Sequence, residues 1–436
     1  MNRLSYFIVI GIVGIASVTA FGQTVQIGDT LFLPESAVVD LPTLVRELIM
    51  NNQEIERAAL QMDIADARIP QEGALDPPQL RFMQEGMPGF VWNEAMYSRL
   101  ELMQMIPFPG KLGTKTALAR IRADHSHHDH LEKINEVIAR LKMAYYELWL
   151  AQQTQILDRE NIRLMDQFVT IARNRYGTGS ASQAEVLKAQ VERSMMVNDF
   201  TASRQRELSA KAMMGSMLDR EPKDTIGYAV IPETVHFAMN LDSLIAVGTA
   251  RRPMIMHDSA MIREGQIMLR MAKQEYLPDI TFGIERMTSP MGDFSAWSLS
   301  AGITLPFMPW SVGKINAQAD EASSVIEQAQ ASYRASRAMI TGNIRDMYYK
   351  ADAARVKLAN FQQTILPQTD QAIEAGVRGY QNGTTDFLML LDSYRTRTEL
   401  RKDYFMTRMG FDQALADLER EVGVINLIPD QSPMVH

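Results

Sequence analysis

Between Thr114 and Tyr176 the chain runs for about 60 residues without a Gly or a Pro, a length that as one helix spans roughly 95 Å at ~1.5 Å per residue. No single globular domain buries such an element, because helices in compact domains run ~8–20 residues. Within it Leu131, Ile134, Ile138, Leu141, Tyr145 and Leu148 alternate steps of three and four, the spacing of a coiled-coil seam that needs other helices alongside. A second run, Lys314 to Leu366, is interrupted only by Gly342 and repeats the spacing at Ile340, Ile344, Met347, Ala351, Ala354, Leu358, Phe361 and Ile365. The remaining chain reads as shorter pieces attached to two very long helices.

The start of the chain reads as an export signal. Arg3 supplies a basic end, Tyr6 to Val18 is apolar but too short to span a bilayer, and small residues follow at Ala20 and Gly22, so residues 1–22 are expected to be removed. Cleavage is placed after Gly22, with Ala20 as the alternative. The chain has no Cys, which rules out a disulfide framework and leads to the expectation of no cysteine-borne lipid anchor. No later stretch approaches the ~20 consecutive apolar residues of a spanning helix. With 52 acidic against 44 basic residues, the balance argues against nucleic acid as a partner.

The order of elements then occurs twice. In residues 23–221, a helix over Leu41 to Ile69 is expected to stop at Pro70. Strands follow at about 79–86 and 97–106, then a long helix at about 112–176 and a return helix at about 182–218. A linker covers 222–240. In residues 241–424, a helix interrupted at Pro253 precedes strands at about 279–286 and 296–305, a long helix at about 313–380 and a return helix at about 385–422. A tail covers 425–436. Ile106-Pro107-Phe108 is echoed by Leu305-Pro306-Phe307, and Tyr176-Gly177-Thr178-Gly179 by Tyr380-Gln381-Asn382-Gly383. The period is about half the mature chain, which marks an internal duplication rather than a short solenoid repeat.

From Trp297 to Leu305, apolar positions alternate with small and polar ones, the pattern of a transmembrane β-strand and equally of a half-buried soluble sheet. Export and long flanking helices favour the membrane. Four strands cannot close a barrel, since single-chain barrels start at ~8, and an open edge is not tolerated in lipid. A membrane reading therefore requires several copies, whose helices would pack into a second barrel beyond the sheet.

The duplicated strand–strand–long helix–return helix unit, the Tyr-x-x-Gly tips and the Ile-Pro-Phe-Pro-Gly-Lys turn at Ile106 to Lys111 resemble the TolC-like outer-membrane efflux family. The turn and the Asp76-Pro77-Pro78-Gln79-Leu80 segment are most similar to its heavy-metal branch, the CusC/CzcC type. The resemblance implies a mainly α chain with a small β part. It also implies a homotrimer whose transmembrane β-barrel sits in outer-membrane lipid and continues into a periplasmic α-helical barrel. A duct of this kind carries no cofactor and is not an enzyme. It docks on a periplasmic adaptor and an inner-membrane transporter of the resistance-nodulation-division type. In the family the tunnel closes at the helix tips through aspartates and links to a neighbouring helix. By resemblance, Asp392 matches one gate aspartate while Met389 replaces the other; Tyr380 matches the gate tyrosine, Thr385 replaces the gate arginine, and Glu185 is the acidic partner. The tip residues Gly177, Gly179 and Gly383 are the expected adaptor contact.

Three copies of Asp392 around an axis would make a carboxylate ring favouring cations; read singly, it is an exposed Asp on a helix face. His125, His127, His128 and His130 are the densest set of potential metal ligands. His125 with His128 and His127 with His130 form i,i+3 pairs, although the four spread over more than one face of a solvated helix. The 30 Met offer a thioether route for a soft ion, or gap-filling between helices. H-E-x-x-H, G-x-S-x-G and P-loop signatures are missing. The leading reading is an efflux duct for heavy-metal cations. Its alternatives are a multidrug duct, a periplasmic coiled-coil scaffold without a pore, and a metal-buffering protein that uses the His cluster.

Overall fold

The computed structural model describes residues 38–87, 95–221, 223–224, 226–232, 240–289 and 292–423. The expected signal segment 1–22, the tail 425–436, the loop residues Pro88, Gly89 and Pro290, and the linker residues Pro222 and 233–239 lie outside these. In order, the elements are β1 (Val38–Val39), α1 (Leu41–Asn51), α2 (Gln53–Glu72), β2 (Gln79–Glu85), β3 (Tyr97–Ile106), α3 (Lys111–Gly177), α4 (Gln183–Met217) and β4 (Tyr228–Ala229). The second half supplies α5 (Leu241–Arg251), α6 (Pro253–Gln274), β5 (Ile280–Thr288), β6 (Ser295–Ile303), α7 (Pro309–Asn360), a π-helical turn (Phe361–Ile365), α8 (Leu366–Asn382) and α9 (Phe387–Val422).

The two strand pairs join into one antiparallel sheet in the order β2–β3–β5–β6, while β1 and β4 form a small parallel pair. Residues directly opposite across an antiparallel pair share a face, so the register assigns each side. One face carries Leu80, Phe82, Leu100, Leu102, Ile284, Trp297, Leu299 and Ile303, all exposed to solvent in the single chain. The other carries Arg81, Arg99, Glu101, Glu285, Ser298 and Ser300. Arg286 also stands on the first face, its guanidinium 5.6 Å over the Trp297 ring. A face so predominantly apolar is built to meet lipid, because its apolar side chains lose free energy in water. No described helix is long and apolar enough to cross a membrane.

Gly110, at φ 100°, turns the chain from the sheet into the 67-residue helix α3. Its seam is buried at Ile138, Leu141, Tyr145 and Leu148, while Leu131 stays exposed. Leu44 and Leu48 of α1, Met214 of α4 and Ala416 of α9 complete that core. The α7 seam is buried at Ile340, Ile344, Ala351, Leu358 and Phe361.

Three expectations about breaks are corrected. The helix expected over Leu41 to Ile69 divides at Asn52, whose extended backbone ends α1 and whose side chain caps α2 by accepting from the Glu54 and Ile55 amides. Pro70 lies in the last turn of α2 instead of ending it. Gly342 leaves α7 unbroken, whereas Pro367, which lacks an N–H and clashes with the carbonyl four residues back, accounts for the π-helical turn just before it.

Charged side chains cross-link the buried helix faces. Lys142 of α3 pairs with Glu419 of α9, and Arg252, ahead of α6, pairs with Glu421 of α9 and Glu132 of α3. Arg408 Nε donates to Asp412 Oδ2 at 2.7 Å. Burial, opposed by Arg408, raises the Asp412 pKa from the ordinary 3.8 to about 6. The folded protein then holds a proton that the unfolded chain lacks in this interval. The contribution of Asp412 therefore favours folding most below about pH 4 and is lost as pH rises through about 6. Asp412→Asn is expected to remove this dependence, on the order of 3 kcal/mol across the interval. Urea unfolding of the detergent-solubilised protein at pH 4, 5 and 6 measures it.

Candidate functional site

The two helical hairpins end in matching turns. α3 closes at Gly177 and the chain reverses through Gly179 at φ 73°; α8 closes at Asn382 and reverses through Gly383 at φ 76°. Left-handed backbone favours Gly at both reversals, because a Cβ there meets the following carbonyl. Gly177, Gly179 and Gly383 are all exposed. Both return helices begin with side-chain caps. Asp386 accepts from the Leu388 amide to start α9, and Ser182 with Glu185 forms a reciprocal capping box that starts α4.

Glu185 has a second task. Its Oε1 accepts from the Ser182 amide at 3.1 Å, while its Oε2 accepts from the Tyr380 hydroxyl at 2.9 Å. The box fixes the carboxylate before it reaches across to the neighbouring hairpin, so little side-chain entropy is lost in making that bond. Tyr380 is fully buried, its ring 5.6 Å from that of Phe387. Burial and the adjoining Glu185 carboxylate push its phenol well above the ordinary 10.0 against the pull of Arg175, so it remains a donor through the physiological range. Gly379 gives the turn its tightness, since a Cβ there would overlap Thr385 Oγ1.

Arg175, the residue before Tyr176, was not singled out from the sequence. Its guanidinium donates to the Tyr380 carbonyl and, at 3.0 Å, to the Ser180 carbonyl, and lies over the Tyr380 ring at 4.6 Å. Thr385 carries no charge where the resemblance implies an arginine, and α3 supplies a cation to the same tyrosine. The available signal was a lone Arg in the last turn of a long helix, where a cation also meets the unpaired carbonyls.

Beyond the tip, Arg397 Nη2 and Arg401 Nη1 reach Glu160 of α3 at 2.5 and 3.1 Å, and both arginines also bond Asp370 of α8. Arg395 of α9 pairs with Glu192 of α4. Asp392 stands apart from this lattice, exposed on the α9 face opposite the buried Leu390, Leu391 and Tyr394. Nearby Met389 is 65% exposed.

The four histidines do not converge. His125 Nδ1 lies 3.3 Å from Glu264 of α6, His127 Nε2 3.2 Å from Asp66 of α2, and His128 Nε2 3.7 Å from Asp124 on its own helix. Burial, opposed by Glu264, holds the His125 imidazole below its ordinary range. Among the described residues no three His, Cys, Asp or Glu side chains are placed to hold a metal ion. His125 and His127 therefore tie α3 to α6 and α2 as separate pairs, while His128 pairs within α3.

The model of the outer membrane efflux protein family matches residues 44–205 and 247–424, one segment for each copy of the duplicated unit. The chain belongs to the outer membrane efflux protein family. Its place is the outer membrane, where it is a transport channel and not an enzyme. The cobalt-zinc-cadmium resistance protein CzcC of Cupriavidus metallidurans is 21% identical over 386 residues, covering 86% of this chain and 87% of that protein. Toxin and drug export protein A of Aggregatibacter actinomycetemcomitans is 24% identical over 243 residues, 54% of this chain and 52% of that protein. Among solved structures, CusC superposes with a TM-score of 0.76 at 16% identity over 88% of this chain and 92% of its own. VceC of Vibrio cholerae gives 0.74 at 14% identity over 88% and 96%. The fold is that of TolC-like channels, a trimeric transmembrane β-barrel continuous with a helical barrel.

Tyr380→Phe is expected to remove one inter-hairpin hydrogen bond to a carboxylate, worth about 1.5–3 kcal/mol. Amide exchange over residues 380–390 of the purified protein should accelerate roughly 10- to 100-fold. Glu185→Gln, which still supports a capping box, should change exchange less than Glu185→Ala.

Proposed function

We propose that three copies of this chain form a passive efflux duct, with a periplasmic adaptor seated on its helix tips and an inner-membrane pump of the resistance-nodulation-division type loading it. Heavy-metal cations are its cargo. The observation that carries the metal reading is the similarity to a cobalt-zinc-cadmium resistance protein across most of both chains. The homotrimer is supported by the sheet, whose four strands leave β2 and β6 with unpaired edges. Twelve strands close them. A drug cargo is the second reading, favoured by the relative named for toxin and drug export, which this chain matches over about half of its length.

In this reading the hairpin tips are the gate. Tyr380, Glu185 and Arg175 hold the α8–α9 hairpin against α3 and α4, and an adaptor bound at Gly177, Gly179 and Gly383 competes with those contacts. Asp392, exposed beside the tip, forms a ring of three carboxylates that admits cations and repels anions.

A deletion strain tests the cargo. Increased sensitivity to cobalt, zinc or cadmium with unchanged tolerance of dyes and antibiotics is the expected result; the reverse pattern would assign a drug duct. Asp392→Ala in planar bilayers is expected to weaken block by divalent cations roughly 3- to 10-fold without loss of conductance. Block equal to that of the wild type would remove the ring from the proposal.

A further inference from the structure

The sheet carries charges of its own, unequally distributed along its strands. Where the strands meet the helices, the face opposite the lipid-facing residues presents Met105, Thr281 and Gly302, then Met103, Gly283 and Ser300, with no charge. In the next row toward the loops, Arg81, Glu101 and Glu285 stand abreast on three neighbouring strands. The next row on that face is centred on Arg99, between Met83 and Met287, and Glu85 follows. Arg81 Nη1 lies 3.5 Å from Glu101 Oε2, and Arg99 reaches Glu85 at 3.3 Å and Glu285 at 3.2 Å.

This belt has two properties that a merely structural ion-pair set does not require. Glu101 and Glu285 are directly opposite each other, an arrangement that disfavours like charges. Three carboxylates also share two guanidiniums, leaving one negative charge per chain. Because the other face is predominantly apolar and exposed, with Arg286 stacked on Trp297 as its one charge among the described strand residues, closure of the sheet in lipid turns the belt toward the lumen at its loop end, away from the helices. We propose that this belt is a second electrostatic filter, set at the outer mouth of the duct, that favours small cations over anions independently of the helix tips. The proposal rests on the trimeric duct of the preceding section.

Reversal potentials across planar bilayers under a potassium chloride gradient test it. At about 10 mM salt the Debye length is about 30 Å, so wall charges act across a wide lumen; at about 1 M it is about 3 Å and they do not. Glu101→Gln with Glu285→Gln should move the reversal potential toward anion preference at low salt. Arg81→Gln with Arg99→Gln should move it the other way. The expected change in permeability ratio is roughly twofold to threefold in each direction, vanishing at high salt. Only variants that run as oligomers of wild-type mass are compared, and Glu101→Asp with Glu285→Asp should retain wild-type selectivity. Conducting variants with the wild-type potential at low salt, or both pairs shifting it in one direction, would overturn the filter while leaving the duct in place. A wild-type protein that forms no conducting channel would overturn both.

Discussion

A backbone N–H or C=O facing hydrocarbon has no water to bond with, and this requirement shapes the molecule. One chain supplies four strands and therefore two open edges, β2 and β6. Each unpaired group costs several kcal/mol in lipid, so the sheet of a single chain is not a stable membrane element. Edge pairing between copies removes the cost and sets the symmetry. The helices follow, because β3 passes through Gly110 into α3 and β6 leads into α7, so closing the sheet gathers the helices of every chain around the same axis.

The tip obeys a different economy. Its polar links are one phenol–carboxylate bond, one guanidinium on a carbonyl and a ring, and a few partly exposed ion pairs. Hydrogen bonds to charged groups contribute about 1.5–3 kcal/mol each and exposed ion pairs less. They overlie an apolar cluster to which all four tip helices contribute, with Phe168, Ala189, Ile373, Leu390 and Tyr394 buried. The shaft core around Leu141 and Leu148 is likewise apolar. The tip therefore differs from the shaft in the polar links it adds between hairpins, and not in lacking a core.

Much of this architecture was legible in the sequence, because its strongest signals are long-range periodicities. The stretch without Gly or Pro became α3, the alternation at Trp297 to Ile303 became a lipid-facing strand, and the gate pairing implied by resemblance placed Tyr380 beside Glu185. The errors were local. Asn52 breaks a helix through its own side-chain cap, which propensity alone does not reveal, and Pro70 is tolerated where helical hydrogen bonds are already ending. Pro367 distorts the second long helix without stopping it, and Phe361 of the distorted turn stays buried against Tyr404 of α9. Arg175 escaped notice because its role depends on a tyrosine about 200 residues away. The His cluster was expected to spread over more than one face of its helix, and it does. Ligand types adjacent in sequence point to different partners once wound on a helix, and three separate carboxylates take three of them.

The surface of the single chain shows what the trimer must cover. On α4, Leu187, Val191 and Met195 recur every fourth residue and are each more than half exposed. They form an exposed helical stripe beside a tip where Leu388 and Met389 are exposed as well. Leu131 leaves the α3 seam exposed in the same way nearer the sheet. A solitary chain would leave these side chains in water along much of the shaft, while the strand edges remained open at its other end. Folding and association are thus one equilibrium here, and the stability of the shaft cannot be separated from the concentration of its partners.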